Sequence, residues 1–209
     1  MIQKKIITEK TARYFLLGEK SDKVKTVLFA CHGYAQLANE FVTVLNPLIR
    51  EDLLIIAPEG LHRFYTRGHE SVVASWMTKE DRLDDIKDYV SFLDRVHDDV
   101  LHDLDNVERI IVLGFSQGAA TVSRWAAQGK SGMDELILFC GFFPPEMNAD
   151  EIHKDIKLTI VTASDDKFIT KEQEAKELKR VKDVKPNFRH FAFDGEHVMK
   201  MEVVKQLVG

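Results

Sequence analysis

Apolar and polar positions change rhythm along this chain, and each change marks an element. Over the first 18 residues the two kinds alternate, residues 2–7 and 13–17 flanking Glu9-Lys10, which predicts an antiparallel edge hairpin. Short, nearly continuous apolar runs follow at 24–31, 53–57, 110–115, 136–140, 158–162 and 188–193, rich in β-branched and aromatic residues. Runs without polar alternation suit strands covered on both faces. Between them the period lengthens. Within 81–104, Leu83, Ile86, Val90, Leu93, His97, Val100 and Leu104 recur at steps of three and four among charged residues, predicting an amphipathic helix on a sheet face. Further helices are predicted at 119–128, ended by Gly129, at 171–182, and at 198–208. Thr170 with Gln173 three residues on is a capping-box pattern opening the 171–182 helix. Helical spacing over 41–49 contains Pro47, which lacks a backbone donor, so a break is expected there.

Strands alternating with helices after an initial hairpin predict an α/β fold, a doubly wound and mostly parallel sheet with an antiparallel edge. No repeat, low-complexity tract or linker divides the chain, so 1–209 reads as a single domain. In open sheets of this kind ligands bind beyond the carboxyl ends of the strands, which is where chemistry is sought.

Composition narrows the classes. With 44% hydrophobic and 30% charged residues the chain is an ordinary globular mix, and its net charge of −5, with Lys and Arg dispersed, argues against nucleic acid as a partner. Cys31 and Cys140 both lie in predicted strands, so buried thiols and a reducing, cytoplasmic setting are expected. No export signal is expected, because Thr8, Glu9, Lys10 and Arg13 interrupt any apolar core near the N-terminus. No stretch approaches the ~18 apolar residues of a membrane span.

One motif carries chemistry. Gly114-Phe115-Ser116-Gln117-Gly118 directly follows the 110–115 run and precedes a helix, the strand–turn–helix setting of a G-x-S-x-G nucleophile elbow. A turn this sharp brings strand and helix together around a strained serine, leaving no room for a Cβ on either side. The helix start, with the Gln117 N–H, is placed to donate to an oxyanion formed at Ser116.

A hydroxyl needs a base, and histidine titrates near neutrality. Of eight histidines, His62, His69, His97, His102 and His153 fall in loops, polar stretches or the long helix, and His190 falls in a strand. His197 follows the 188–193 run through Asp194-Gly195-Glu196, on a carboxyl-edge loop and last in the order Ser, acid, His. The acid that orients it belongs on the loop after 158–162, where Asp165 and Asp166 qualify equally by spacing. A second oxyanion donor is expected from Cys31-His32-Gly33-Tyr34-Ala35, from the amide of Tyr34 or also that of Ala35, with His32 read as bonding loop backbone.

Together, His32-Gly33, the elbow, Gly141-Phe142-Phe143-Pro144, the Asp166 loop and Gly195-Glu196-His197 resemble the phospholipase/carboxylesterase family of the α/β-hydrolase superfamily, which includes acyl-protein thioesterases. The likeness runs from about Val24 onward. It implies an α/β-hydrolase fold without a large cap domain, and it assigns the acid to Asp166, the last position of a Gly-Asp-x-Asp stretch that here begins Ala163-Ser164. Ala35 also stands where the family has a second glycine. The resemblance sets Trp76, Phe142 and Phe143 beside the cleft, where they either bind an acyl chain or pack in the core. The expected activity is that of a serine carboxylesterase on small to medium acyl esters, with no cofactor and no metal. Thioesterase, lysophospholipase and peptidase activities share the constellation, a non-catalytic binding module is the rival class, and a homodimer is left open.

Overall fold

Burial on two faces decides where the sheet forms. The computed structural model describes residues 1–209. In chain order its elements are β1 Tyr14–Leu17, β2 Thr26–Cys31, α1 Ala38–Thr43, β3 Leu53–Pro58, β4 His62–Tyr65, β5 Val72–Ser75, α2 Arg82–Leu101, β6 Arg109–Phe115, α3 Gln117–Gln128, β7 Glu135–Phe139, β8 Lys157–Ala163, α4 Lys171–Val184, β9 Arg189–Phe193 and α5 Met201–Val208. Seven strands form one sheet in the order β1-β3-β2-β6-β7-β8-β9. All neighbours are parallel except β1, which runs antiparallel to β3. This is the α/β-hydrolase arrangement expected from the sequence.

Alternate residues of the central strands feed two cores. Val27, Phe29 and Cys31 of β2 pack with Tyr89, Leu93, Val122 and Trp125 on the α2–α3 side. Leu28 and Ala30 pack with Phe41, Leu45, Val204 and Leu207 on the α1–α5 side. Every residue of β2 and β3 is buried, which explains why their sequences show no polar alternation. At the far end of the molecule, Arg109 holds Glu135 with two hydrogen bonds of 2.9 and 3.0 Å and donates to the Leu207 and Val208 carbonyls that close α5.

The N-terminal hairpin is corrected to a single edge strand. Residues 1–13 have no regular secondary structure, and Ile2, Ile6 and Ile7 are exposed. Phe15 and Leu17 pack on the α1–α5 core and Tyr14 on the other, so only 14–17 gains burial by pairing with β3. Alternation without a surface to bury against does not make a strand. The capping box at Thr170–Gln173 is present, with both reciprocal hydrogen bonds, and the break at Pro47 is a 3₁₀ turn at Asn46–Leu48 following α1. The β4–β5 hairpin was not foreseen. It is attached to the loop after β2 through Ala35 N to Ala74 O at 2.9 Å and Ala74 N to Gln36 O at 3.2 Å. No helix is long and apolar enough to cross a membrane.

Candidate active site

The carboxyl ends of β2, β6, β8 and β9 supply the residues singled out in the sequence. Ser116 stands between β6 and α3 at φ 54°, ψ −116°, a backbone conformation that L-residues seldom adopt. Its N–H donates to the Phe139 carbonyl at 2.9 Å, and its carbonyl accepts from Ala119 N at 2.9 Å, so both sides of the elbow are fixed. A Cβ on Gly114 would overlap the Gly118 carbonyl, and one on Gly118 would overlap the Cys31 carbonyl. The glycines therefore let strand, helix and the end of β2 meet at the serine.

Two loops bring the imidazole and the carboxylate together. The segment after β8 and the segment after β9 are tied by Ser164 N to Phe193 O, Asp165 N to Gly195 O and Gly195 N to Ser164 Oγ, at 2.9, 2.9 and 3.1 Å. Gly195, at φ 151°, makes the bend that this exchange requires. Across it His197 Nδ1 meets Asp166 Oδ2 at 2.7 Å, both side chains nearly buried at 12% and 4% exposure. The other carboxylate oxygen accepts from the Phe168 and Ile169 amides at 2.8 and 3.1 Å. A carboxylate only accepts, so Nδ1 carries the proton and Nε2 is left as the acceptor. Asp165, by contrast, is exposed and its side chain makes no hydrogen bond. The His197 ring lies 5.1 Å from that of Phe115, the residue before Ser116. No hydrogen bond joins His197 to Ser116 here, and bonds of this kind commonly tighten only around substrate.

The loop after β2 and the start of α3 meet beside the serine. Gly33 abuts it closely: a Cβ there would lie 3.2 Å from Ser116 Cβ. In the Gly33–Ala35 loop the Gly33 amide donates to Gln36 Oε1 at 2.7 Å and that of Ala35 to Ala74 O, while the Tyr34 amide has no protein acceptor. Ala35 is thus removed as a candidate donor. Gln117 is the first residue of α3, so its amide has no acceptor within the helix. The Gln117 side chain faces away to a different task, bonding Ser75 Oγ, Trp76 N and Met77 O at 3.0–3.3 Å.

His32 is structural. It is fully buried, with Nδ1 on the Gly33 carbonyl at 2.7 Å and Nε2 accepting from Gly60 N at 2.9 Å. Burial pushes its pKa down, keeping it neutral.

The aromatic residues resolve differently from the acyl-binding alternative. Trp76 is fully buried, stacked 5.0 Å from His32 and donating Nε1 to the His32 carbonyl at 2.8 Å. Phe143 is 3% exposed, in the α2–α3 core. Both are corrected to core residues, because no solvent-facing surface is left on them for a ligand. Phe142 is partly buried against the same core. The sequence carries no sign of two exposed aromatic rings: that of Phe168, 77% exposed with its centre 4.8 Å from that of His197, and that of Tyr34, 61% exposed and 5.7 Å from Phe64. Cys140, just beyond β7, is buried, and its Sγ, a carboxylate oxygen of Asp166 and a ring nitrogen of His197 lie within 4.8 Å of one another.

Comparison with known proteins bears on this geometry. A family described as Serine hydrolase (FSH1) matches residues 22–200. No curated protein matches the sequence. Among solved structures, acyl-protein thioesterase 2 of Zea mays is similar at 14% identity and TM-score 0.72, covering 95% of this chain and 96% of its own. Esterase PE8 is similar at 18% identity and TM-score 0.72, over 95% and 97%. The Bacillus cereus carboxylesterase is similar at 15% identity and TM-score 0.64, over 94% and 91%.

Proposed function

The chain belongs to the serine hydrolase (FSH1) family, and on that premise we propose that it is a carboxylesterase acting on small to medium acyl esters through an acyl-enzyme on Ser116. The observation that carries this reading is the 2.7 Å pair between His197 and Asp166 beside an elbow whose serine is held at positive φ. His197 Nε2 takes the Ser116 proton as Oγ attacks the ester carbonyl carbon. The Asp166 carboxylate holds the Nδ1–H tautomer and stabilises the imidazolium that forms. Negative charge gathers on the former carbonyl oxygen, where the Tyr34 and Gln117 amides donate. The imidazolium then gives its proton to the departing alkoxide, and collapse of the tetrahedral adduct leaves the acyl group on Ser116. Water, deprotonated by His197, repeats the sequence and releases the acid.

Exposed aromatic side chains support an apolar acyl or alcohol portion: Phe168 packs its ring against His197, and Tyr34, in the loop after β2, packs against Phe64. The two buried free thiols support a reducing, cytoplasmic setting.

A thioester differs from an ester at the leaving atom, and the same steps serve it; the likeness to a thioesterase fold keeps that substrate in the test. A fluorophosphonate probe is expected to label the wild-type protein and not Ser116→Ala. Matched series of 4-nitrophenyl esters and acyl thioesters of rising chain length then order the substrates. Unlabelled wild-type protein would move the reading to a binding module.

A further inference from the structure

Cys140 offers a different chemistry to the same hollow. It follows β7 at φ 47°, and its thiol meets only the Val198 carbonyl, at 4.0 Å. The sulfur, the Asp166 oxygen and the His197 nitrogen come from three separate segments, yet all lie within 4.8 Å of one another. Sulfur, nitrogen and oxygen together are a donor set that selects a borderline-soft divalent ion. Around zinc, bonds of about 2.3 Å to sulfur and about 2.0–2.2 Å to nitrogen and oxygen set ligand atoms roughly 3.3–3.7 Å apart in a tetrahedron. From a largest separation of 4.8 Å the donors have to close by roughly 1–1.5 Å to reach that spacing.

Taking Ser116, Asp166 and His197 as the hydrolytic residues, the reading on which this rests, we propose that Cys140, Asp166 and His197 form an inhibitory site for a soft divalent cation such as Zn²⁺. As the sulfur–metal bond forms, the Cys140 thiol releases its proton to solvent. The metal takes the Nδ1 lone pair, the ring proton passing through solvent from Nδ1 to Nε2, and one carboxylate oxygen, and the His197–Asp166 hydrogen bond opens. The base for Ser116 is thereby withdrawn while Ser116 itself is untouched. Three protein ligands leave a fourth position for water, the pattern of an open rather than a closed site. Cys31, the other buried thiol, lies on β2 outside the cluster and serves as an internal control.

The test uses Zn²⁺ on ester turnover and Co²⁺ as a spectroscopic stand-in, in wild type, Cys140→Ser and Cys31→Ser. Zn²⁺ is expected to inhibit wild type and Cys31→Ser alike, and Cys140→Ser is expected to need at least about tenfold more, since even outer partners of a metal ligand matter by 10–100-fold. Co²⁺ is expected to give a thiolate charge-transfer band in wild type and Cys31→Ser that Cys140→Ser lacks. Cys140→Ala repeats both measurements should the serine variant fold poorly. Equal Zn²⁺ sensitivity with and without Cys140, wild type insensitive to Zn²⁺, or absence of the Co²⁺ band would overturn the proposal. The Co²⁺ band needs no turnover, so its presence in a protein that the fluorophosphonate fails to label would sink the hydrolase reading and leave the metal site standing.

Discussion

Asp166 uses its two carboxylate oxygens for different partners: Oδ2 accepts from His197 Nδ1 at 2.7 Å, and Oδ1 accepts from the Phe168 and Ile169 amides. The loop therefore holds the carboxylate, and the carboxylate holds the imidazole. Asn in its place keeps the size but presents an amide that can turn its NH₂ toward Nδ1, favouring the tautomer with Nε2 protonated. Asp166→Asn is expected to lower kcat by about 10³–10⁴-fold. Asp165→Asn, at an exposed carboxylate without a partner, is expected to stay within a few-fold of wild type. Steady-state kinetics on one ester decides it, and the opposite ranking would transfer the acid's role to Asp165.

The choice between those neighbours shows where sequence reading stops. Consecutive residues of a loop satisfy any spacing rule equally, and only the resemblance, followed by the hydrogen bond itself, separates them. The central strands were legible because burial on both faces leaves an unmistakable apolar run, as in residues 53–58 of β3. The β4–β5 hairpin was not, since four-residue strands only partly buried carry too little pattern. Residues 2–7 had the pattern and lacked the partner surface. Depth, too, is absent from a string of letters: Trp76 and Phe143 lie in the core, while Phe168, equally aromatic, stands in solvent over His197. Of the elbow's surroundings, the sequence announced the glycines and concealed the loop-to-loop hydrogen bonds that join Ser164 and Gly195.

The close approach at Gly118 makes a second expectation. A methyl group there meets the Cys31 carbonyl oxygen, a backbone atom of a central strand that has no free direction in which to move. Gly118→Ala is expected to destabilise the fold by about 3 kcal/mol, the upper end of the range for overpacked cores, because the atom it meets is backbone. Its denaturant midpoint, or its yield in soluble form, measures this; a midpoint equal to wild type would mean that β2 and α3 lie farther apart than described.

Gln117 links the elbow to the segment that follows β5. Its side-chain amide bonds Ser75, Trp76 and Met77, and no apolar residue can replace those contacts. Gln117→Ala is expected to cost about 1–3 kcal/mol by leaving the Trp76 amide without its acceptor, with turnover reduced less than in Asp166→Asn because the residue 117 backbone N–H is retained. Equilibrium unfolding together with kcat separates the two effects. A loss of turnover as large as that of Asp166→Asn would assign the side chain a direct part in the chemistry.

Acid is expected to weaken the fold through buried neutral histidine. His32 titrates below its ordinary value of 6.5 because burial disfavours its charged form, and His190 is lowered for the same reason. Unfolded chains then bind more protons than folded ones between 6.5 and the depressed folded values, so stability is full above about pH 7 and falls as pH drops through that window. Asp94 and Glu135, whose pKa values are lowered from 3.8 and 4.5, add their loss only below that range. Denaturant midpoints from pH 7.5 to 5.5 are expected to decline, and the slope should shrink in His32→Gln, the remainder coming from His190. An unchanged slope would mean that His32 takes up no more protons in the unfolded chain than in the folded one over this range.

Ser116 sits where the backbone prefers glycine, and a residue so held costs of the order of 1–3 kcal/mol. Glycine relieves that strain, although its greater freedom in the unfolded chain returns about 0.5–1 kcal/mol of the gain. Alanine keeps the Cβ and so keeps the strain. Ser116→Gly is therefore expected to be more stable than Ser116→Ala by about 1 kcal/mol, both variants being inactive. Comparing the two, rather than either with wild type, cancels the lost hydroxyl and isolates the backbone. If they unfold at the same denaturant concentration, the positive φ at Ser116 stores no more than the about 0.5–1 kcal/mol that glycine's freedom offsets.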